Sequence, residues 1–162
     1  MARFPFVNYF MAWGIRLVVP KQRIGAGLVA LDEKNRVLLL RHVFHPYTPW
    51  GIPGGWLNRH EAPADGVLRE LREETGLTAV LTNILHIESQ NSPPHMGIVY
   101  LGRIQPGRLS LSAEIIEAGW FSAGQLPGPL TPLSQQAIES AWQLVGQEND
   151  KQNGREPQSL KI

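Results

Sequence analysis

A mixed α+β fold of the α/β kind, a β-sheet covered by helices, is what the sequence predicts. Three observations point to it. Strand-like and helix-like segments alternate irregularly along the chain, which favours a mixed sheet with helices laid on it. The run Val37-Leu38-Leu39-Leu40 is apolar on both faces, as in a strand covered on both sides. A chain of 162 residues, 43% hydrophobic and 18% charged, is long and apolar enough for one domain around one sizeable core, and argues against wholesale disorder.

Ile24 to Leu31 reads as the first strand. The turn cluster Asp32-Glu33-Lys34-Asn35 follows, and Arg36 to Phe44 reads as a second strand, so the two predict a hairpin. His45 to Gly55 holds three prolines and three glycines, which predicts loop. Pro63 to Thr75 reads as a helix: Pro63 suits a first turn, Gly76 suits a left-handed stop, and Ala64, Val67, Leu68 and Leu71 form an apolar stripe. Ala79 to Glu88 and Met96 to Gln105 read as strands about the turn Asn91-Ser92-Pro93-Pro94. Pro106-Gly107 is another turn, and Trp120-Phe121 ends a short strand. After a loop from Pro127 to Pro132, Leu133 to Val145 has a helical period through Ile138, Ala141 and Val145. From Gln147 the chain is polar and reads as a frayed tail. No internal repeat and no linker is visible, so the expected division is an extension over residues 1–20, a domain over 21–146 and a tail over 147–162.

Fifteen Lys and Arg against fourteen Asp and Glu give a formal charge of +1, so no global pull toward nucleic acid and no stable binding to it is expected. Absence of Cys removes disulfide scaffolds, thiolate metal sites and cysteine nucleophiles, and fits a reducing compartment. Phe4 to Val19 is apolar but interrupted by Asn8, Gly14 and Arg16, too short and broken for a membrane span and lacking the parts of a signal peptide. The cytoplasm is therefore the expected location. Phe6, Phe10, Trp13 and Leu17 recur at helical spacing beside Arg3, Arg16, Lys21 and Arg23. This reads as a helix packed on the domain or on a second subunit, or else as a basic amphipathic helix touching a membrane surface.

The chemistry concentrates between Gly55 and Leu77. Glu70, Glu73 and Glu74 stand at i, i+3 and i+4 of the predicted helix and share one side of it. Three clustered carboxylates repel one another unless a cation neutralises them, and hard oxygen donors suit Mg²⁺ or Mn²⁺. Such a cation matches phosphate chemistry. Read as a charge run alone, Arg69-Glu70-x-Arg72-Glu73-Glu74 could equally be a solvated, salt-bridged face.

The flanking residues decide between these. Gly55, five residues, Glu61, seven residues, then Arg69-Glu70-Leu71-x-Glu73-Glu74-x-Gly76-Leu77 fixes seven identities and two apolar positions at set spacing. This stretch resembles the Nudix box, so the chain is similar to the Nudix hydrolase family. The resemblance implies a mixed β-sheet sandwiched between helices, with the box as loop, helix and loop. It implies hydrolysis of a diphosphate linkage in a nucleoside diphosphate joined to another group, by water attack at phosphorus. It assigns Glu70, Glu73 and Glu74 to the metal with the carbonyl of Gly54, and Arg69 and Glu61 to bracing those glutamates. For the general base it leaves Glu73 or Glu74 first, with Glu114 and Glu117 behind them, since an acidic loop residue often precedes the strand that here ends at Trp120-Phe121. Gly66-Val67 stands where two alanines are common in the family, a departure that touches no ligand.

The box leaves the rest of the substrate unnamed. Tyr47 and Trp50, just before it, are candidates to stack a base, Trp50 also suiting a core position. Arg41 and His42 are candidates for phosphate, and strand alternation would send only one of them into the cleft. Arg59 and Arg103 are further phosphate candidates, and His95 a substrate contact. Pro93, sixteen positions after Leu77, is similar to a marker of the ADP-ribose hydrolases of this family, although Pro93-Pro94 also makes an ordinary turn. The expected substrate is thus ADP-ribose or a nucleotide sugar. Nucleoside triphosphates, oxidised ones included, are the alternative, and a nucleotide-sensing module without turnover is the alternative of another class. The resemblance also implies a homodimer.

Overall fold

The computed structural model describes residues 22–43, 47, 49–91 and 94–152. The expectations placed on residues 1–20, Pro93 and the end of the tail lie outside the described residues. Among the described residues seven strands form one mixed sheet, and two long helices cover it. In chain order these are β1 (Arg23–Leu31), β2 (Val37–His42), β3 (Trp50–Gly51), β4 (Gly54–Trp56), α1 (Pro63–Thr75), β5 (Ala79–Asn91), β6 (Pro94–Ile104), β7 (Ile115–Phe121) and α2 (Pro132–Gln152).

The central strand β1 organises the sheet. Along its whole length it pairs in parallel with β6, from Arg23↔His95 to Leu31↔Arg103, and β6 carries β5 antiparallel on its far side. The other edge of β1 is divided. Its end meets β2 at Leu31↔Val37, whereas its first half takes β4 at Gly25↔Trp56, Ala26↔Gly55 and Gly27↔Gly54. Outside β1, β2 carries β3 and β7, both antiparallel.

Period-two alternation sorts the core into two layers. Val29, Leu31, Val37 and Leu39 face Ala137, Ile138, Ala141 and Val145 of α2. Leu28, Ala30, Leu38 and Leu40 face Val67 and Leu71 of α1. The two-faced apolar run Val37–Leu40 is thus wholly buried between helices, and truncating Leu39 or Leu71 to Ala would cost about 2–5 kcal/mol.

Several boundaries differ from the sequence reading. The second strand is shorter, Val37–His42, because Val43 already turns. The segment expected as loop before Gly55 contains β3 and the start of β4. Gly54 makes β4 possible: its φ is +153°, and a Cβ there would lie 2.3 Å from the Ala26 carbonyl oxygen, so only glycine lets the chain approach β1 this closely. The β5–β6 hairpin arms are longer than expected, and α2 starts at Pro132 and runs to Gln152, through the first residues of the expected tail. No helix among the described residues is long and apolar enough to cross a membrane.

Candidate active site

Helix α1 begins where Pro63 supplies a preset φ and ends where Gly76, at φ +71°, turns its amide back onto the Arg72 carbonyl. Its buried stripe runs Val67, Leu71, Glu74, and that spacing separates the three glutamates. Glu74 continues the core-facing stripe and is only 8% exposed, whereas the Glu73 side chain is 60% exposed on the outer rim. Glu70 stands between them. Gly66 lets the helix approach the loop before it, since a Cβ there would sit 2.3 Å from Leu57 Cδ2.

Arg69 ties the outer flank together. Its Nε and Nη2 donate to the two Glu61 oxygens at 2.7 and 2.9 Å. Its Nη1 donates to Glu70 Oε1 at 2.8 Å and Glu73 Oε2 at 3.0 Å, and Nη2 also reaches the Trp56 carbonyl at 3.2 Å. The Asn58 amide adds a bond of 2.7 Å to Glu61. The guanidinium, and then the Asn58 N–H, hold the Glu61 carboxyl at a pKa of about 2, well below its ordinary value. Glu61 and the other acids raise Arg69 in turn.

The inner flank is different. A cleft of about 340 Å³ is lined by His42, Gly54, Gly55, Trp56, Glu70, Glu74 and Glu114. Glu74 Oε2 accepts the Gly54 amide at 3.0 Å, and His42 Nδ1 stands 3.9 Å from Oε1. Burial is the main reason that Glu74 titrates near 8. The Gly54 amide opposes the shift, while repulsion from Glu70, Glu114 and Glu73 adds to it. Glu70 and Glu73 are turned onto Arg69, and among the described residues no three His, Asp or Glu side chains are gathered as a ready metal cage.

The family model of the NUDIX domain matches residues 21–141, three quarters of the chain. The chain belongs to the Nudix family. The matching stretch contains the whole glutamate cleft and every residue that Arg69 touches. A Bacillus subtilis (strain 168) protein provisionally named 8-oxo-dGTP diphosphatase is 25% identical over 139 residues, 85% of each chain. An ADP-ribose pyrophosphatase of Methanocaldococcus jannaschii is 28% identical over 102 residues, 60% of each chain. Several other relatives are longer proteins, and the chain spans 33% to 43% of their length. Among solved structures, a MutT NUDIX hydrolase of Burkholderia pseudomallei matches at a TM-score of 0.66 and 27% identity, covering 75% of this chain and 98% of that one. This Nudix protein is accordingly an enzyme of the pyrophosphatase type.

Within the Nudix domain the other candidate residues separate by position. Glu114 lines the cleft, its carbonyl accepting the amide of Val43, just past β2, at 3.0 Å. Glu117 points elsewhere and pairs with Arg41 at 3.5 Å. Of the two neighbours on β2, His42 enters the cleft and Arg41 does not. Arg103 is far from the cleft; it bonds the Asp32 carbonyl at 3.0 Å and Asn35 Oδ1 at 2.6 Å, holding the β1–β2 turn. Trp50 packs edge-on to Phe121 in the α2-side core, while Tyr47 is 89% exposed. Arg59 is exposed on a hollow beside Arg23 and Trp56. His95 stands edge-on to Trp56, 4.8 Å between ring centroids. The sequence reading passed over Trp56. Its signal was an aromatic directly after the glycine pair, at the shared wall of three hollows.

Proposed function

We propose that this chain hydrolyses the diphosphate linkage of a nucleoside diphosphate joined to a second group, with ADP-ribose or a nucleotide sugar as its substrate, in the presence of Mg²⁺ or Mn²⁺. The observation that carries the reading is Glu74, a buried carboxyl that feels repulsion from Glu70, Glu114 and Glu73. Such a donor set fits a hard divalent cation. Glu70, Glu73, Glu74 and the Gly54 carbonyl would hold it once Glu70 and Glu73 swing from Arg69. When bound, the ion supplies charge for the diphosphate and lowers the pKa of a coordinated water.

The remaining work falls to the chain. Arg69, fixed by Glu61, sets where Glu70 and Glu73 stand. A carboxylate takes the proton of the attacking water. Glu73 and Glu74 are candidates on the helix. Of the loop acids Glu114 is better placed, since it faces the cleft and Glu117 is engaged by Arg41. Support for the substrate class comes from the ADP-ribose pyrophosphatase relative. The Bacillus relative favours a second reading, hydrolysis of nucleoside triphosphates.

The test is a hydrolysis screen over ADP-ribose, nucleotide sugars and nucleoside triphosphates with Mg²⁺ and Mn²⁺, products resolved by chromatography. The proposal expects metal-dependent release of a nucleoside monophosphate from ADP-ribose or a nucleotide sugar. Release of pyrophosphate from triphosphates alone would favour the second reading, and nucleotide binding without any turnover would make the chain a sensor. The proposal also includes a cytoplasmic homodimer assembled through residues 1–20. Light scattering of the full-length chain and of one lacking that segment tests the dimer, and an unchanged monomer mass in both would end it.

A further inference from the structure

Helix α1 packs on β1 and β4, and on the same side of the sheet β6 and β5 present an apolar face. The strand register places it. Ala26 and Leu28, buried under α1, stand beside Ile98 and Tyr100 of β6. These stand beside Ile87 and Ile84 of β5, and the pair Ile24↔Met96 adds the near corner. Residues paired across strands share a face. Ile24, Ile84 and Ile87 are 38%, 53% and 61% exposed, and with Met96 and Ile98 they belong to neither core layer among the described residues. Helix α1 forms one wall of this face. Glu70 and Leu68 flank the Val67–Leu71 stripe on opposite sides, and Glu70 turns to Gly55 of β4, so Leu68 turns to β6.

The described chain starts at Gln22, two residues before Ile24 and so at the corner of this face. The apolar segment with Phe6, Phe10, Trp13 and Leu17 at helical spacing precedes it. Pro5 suits a first helical turn, and Pro20 a stop before it. A helix over residues 6–17 is about 17 Å long. The face measures about 10 Å across three strands and about 13 Å from the level of Ile24 to that of Leu28, a diagonal of roughly 16 Å. Extended, residues 18–22 bridge up to about 17 Å, so the connection needs no second chain.

We infer that residues 6–17 of this same chain lie as a helix across the β6–β5 face, with Phe6, Phe10, Trp13 and Leu17 turned onto Ile84, Ile87 and Ile98. A short helix draws most of its stability from burying such a stripe, and the sheet loses an apolar surface to water in the same step. Val7, Met11, Ile15 and Val18 form a second stripe on the other side of that helix, which stays available to the second copy proposed above.

Because the sequence has no Cys, a single introduced thiol reports one position. Ile87→Cys puts it on the face, and Val80→Cys puts it on the opposite side of the same strand, where Val80 pairs with Arg103. Neither side chain belongs to the core, and Ile84→Cys repeats the measurement should Ile87→Cys fold poorly. Maleimide labelling rates are measured on the full chain, with and without Phe10→Asp/Trp13→Asp. The double substitution should speed labelling of Ile87→Cys about tenfold, by undocking the segment, and change Val80→Cys by less than about twofold. The protection of Ile87→Cys in the otherwise unaltered chain should survive a hundredfold dilution, as a contact within one chain must. Equal rates at Ile87→Cys, or an equal acceleration at Val80→Cys, would overturn the inference. Protection lost on dilution would also overturn it and give the face to a second copy. Light scattering on the same proteins reads the dimer separately: a monomer with Ile87→Cys protected would end the dimer and leave this inference standing.

Discussion

Helix α1 carries two flanks of opposite character, separated by a few ångströms of backbone. On the outer flank Arg69 makes five hydrogen bonds, two of them to Glu61, and with the Asn58 amide it satisfies both oxygens of that carboxylate within the protein. On the inner flank Glu74 is buried beside Glu70 and Glu114, and its carboxyl rises to about 8. The same residue type therefore serves two ends. Glu61 is depressed to about 2 and acts as scaffold, whereas Glu74 is destabilised as an anion by its surroundings. Clustered charge that the fold leaves unneutralised marks the place for a cation, while clustered charge that it neutralises marks the brace.

Removing the inner member should have the largest effect. Glu74→Gln keeps the size and the bond from Gly54 but loses the anion. Its kcat/KM should fall by about 10³-fold, ~4 kcal/mol of transition-state stabilisation, in a metal-dependent hydrolysis assay. Activity within a few-fold of wild type would erase the distinction between the flanks. Breaking the brace should cost less. Arg69→Lys keeps the charge but replaces a fork serving three carboxylates with a point donor. Activity should drop about 10–100-fold, as for residues that orient metal ligands, and full rescue by Lys would show that charge alone matters there.

The smallest effect, and the sharpest contrast, is in the pH dependence of metal-free stability. Glu61 is ionised in the folded chain down to about 2, against 4.5 for the free group. Its contribution is present above 4.5 and disappears as pH falls toward 2. Glu74 has the opposite sign. Its folded value is raised from 4.5 to about 8, so the folded state keeps a proton that the unfolded state releases, and stability is lost as pH rises across that window. Chemical denaturation in chelator should show the first slope vanish in Glu61→Gln and the second in Glu74→Gln. Two slopes of the same sign would contradict the contrast.

What the sequence made legible follows the same division between local and tertiary causes. Helix α1 was readable because Pro63, Gly76 and the stripe through Val67 and Leu71 are local signals. So were the glutamates, because their spacing is fixed by the helix. That Glu74 lies inside and Glu73 outside depends on which side α1 turns to β1, a tertiary fact. Strand β4 was missed because its pairing depends on the contact of Gly54 with Ala26, 28 residues earlier, which no propensity records. The role of Arg103 depends on Asn35, 68 positions away, and an arginine near phosphate reads the same in sequence as one holding a turn. The far end of α2 was missed because its polar residues favour solvent without stopping the helix.

The most direct test of the central claim, that the inner flank is built for a cation, is thermal unfolding of the wild type and Glu74→Gln at about pH 8, with and without Mn²⁺ and without nucleotide. Binding to the folded state raises stability by mass action. The wild type should gain several degrees in Tm on adding Mn²⁺, and Glu74→Gln should gain little while starting from a higher metal-free Tm. Equal gains in both proteins, or none in the wild type, would contradict the claim.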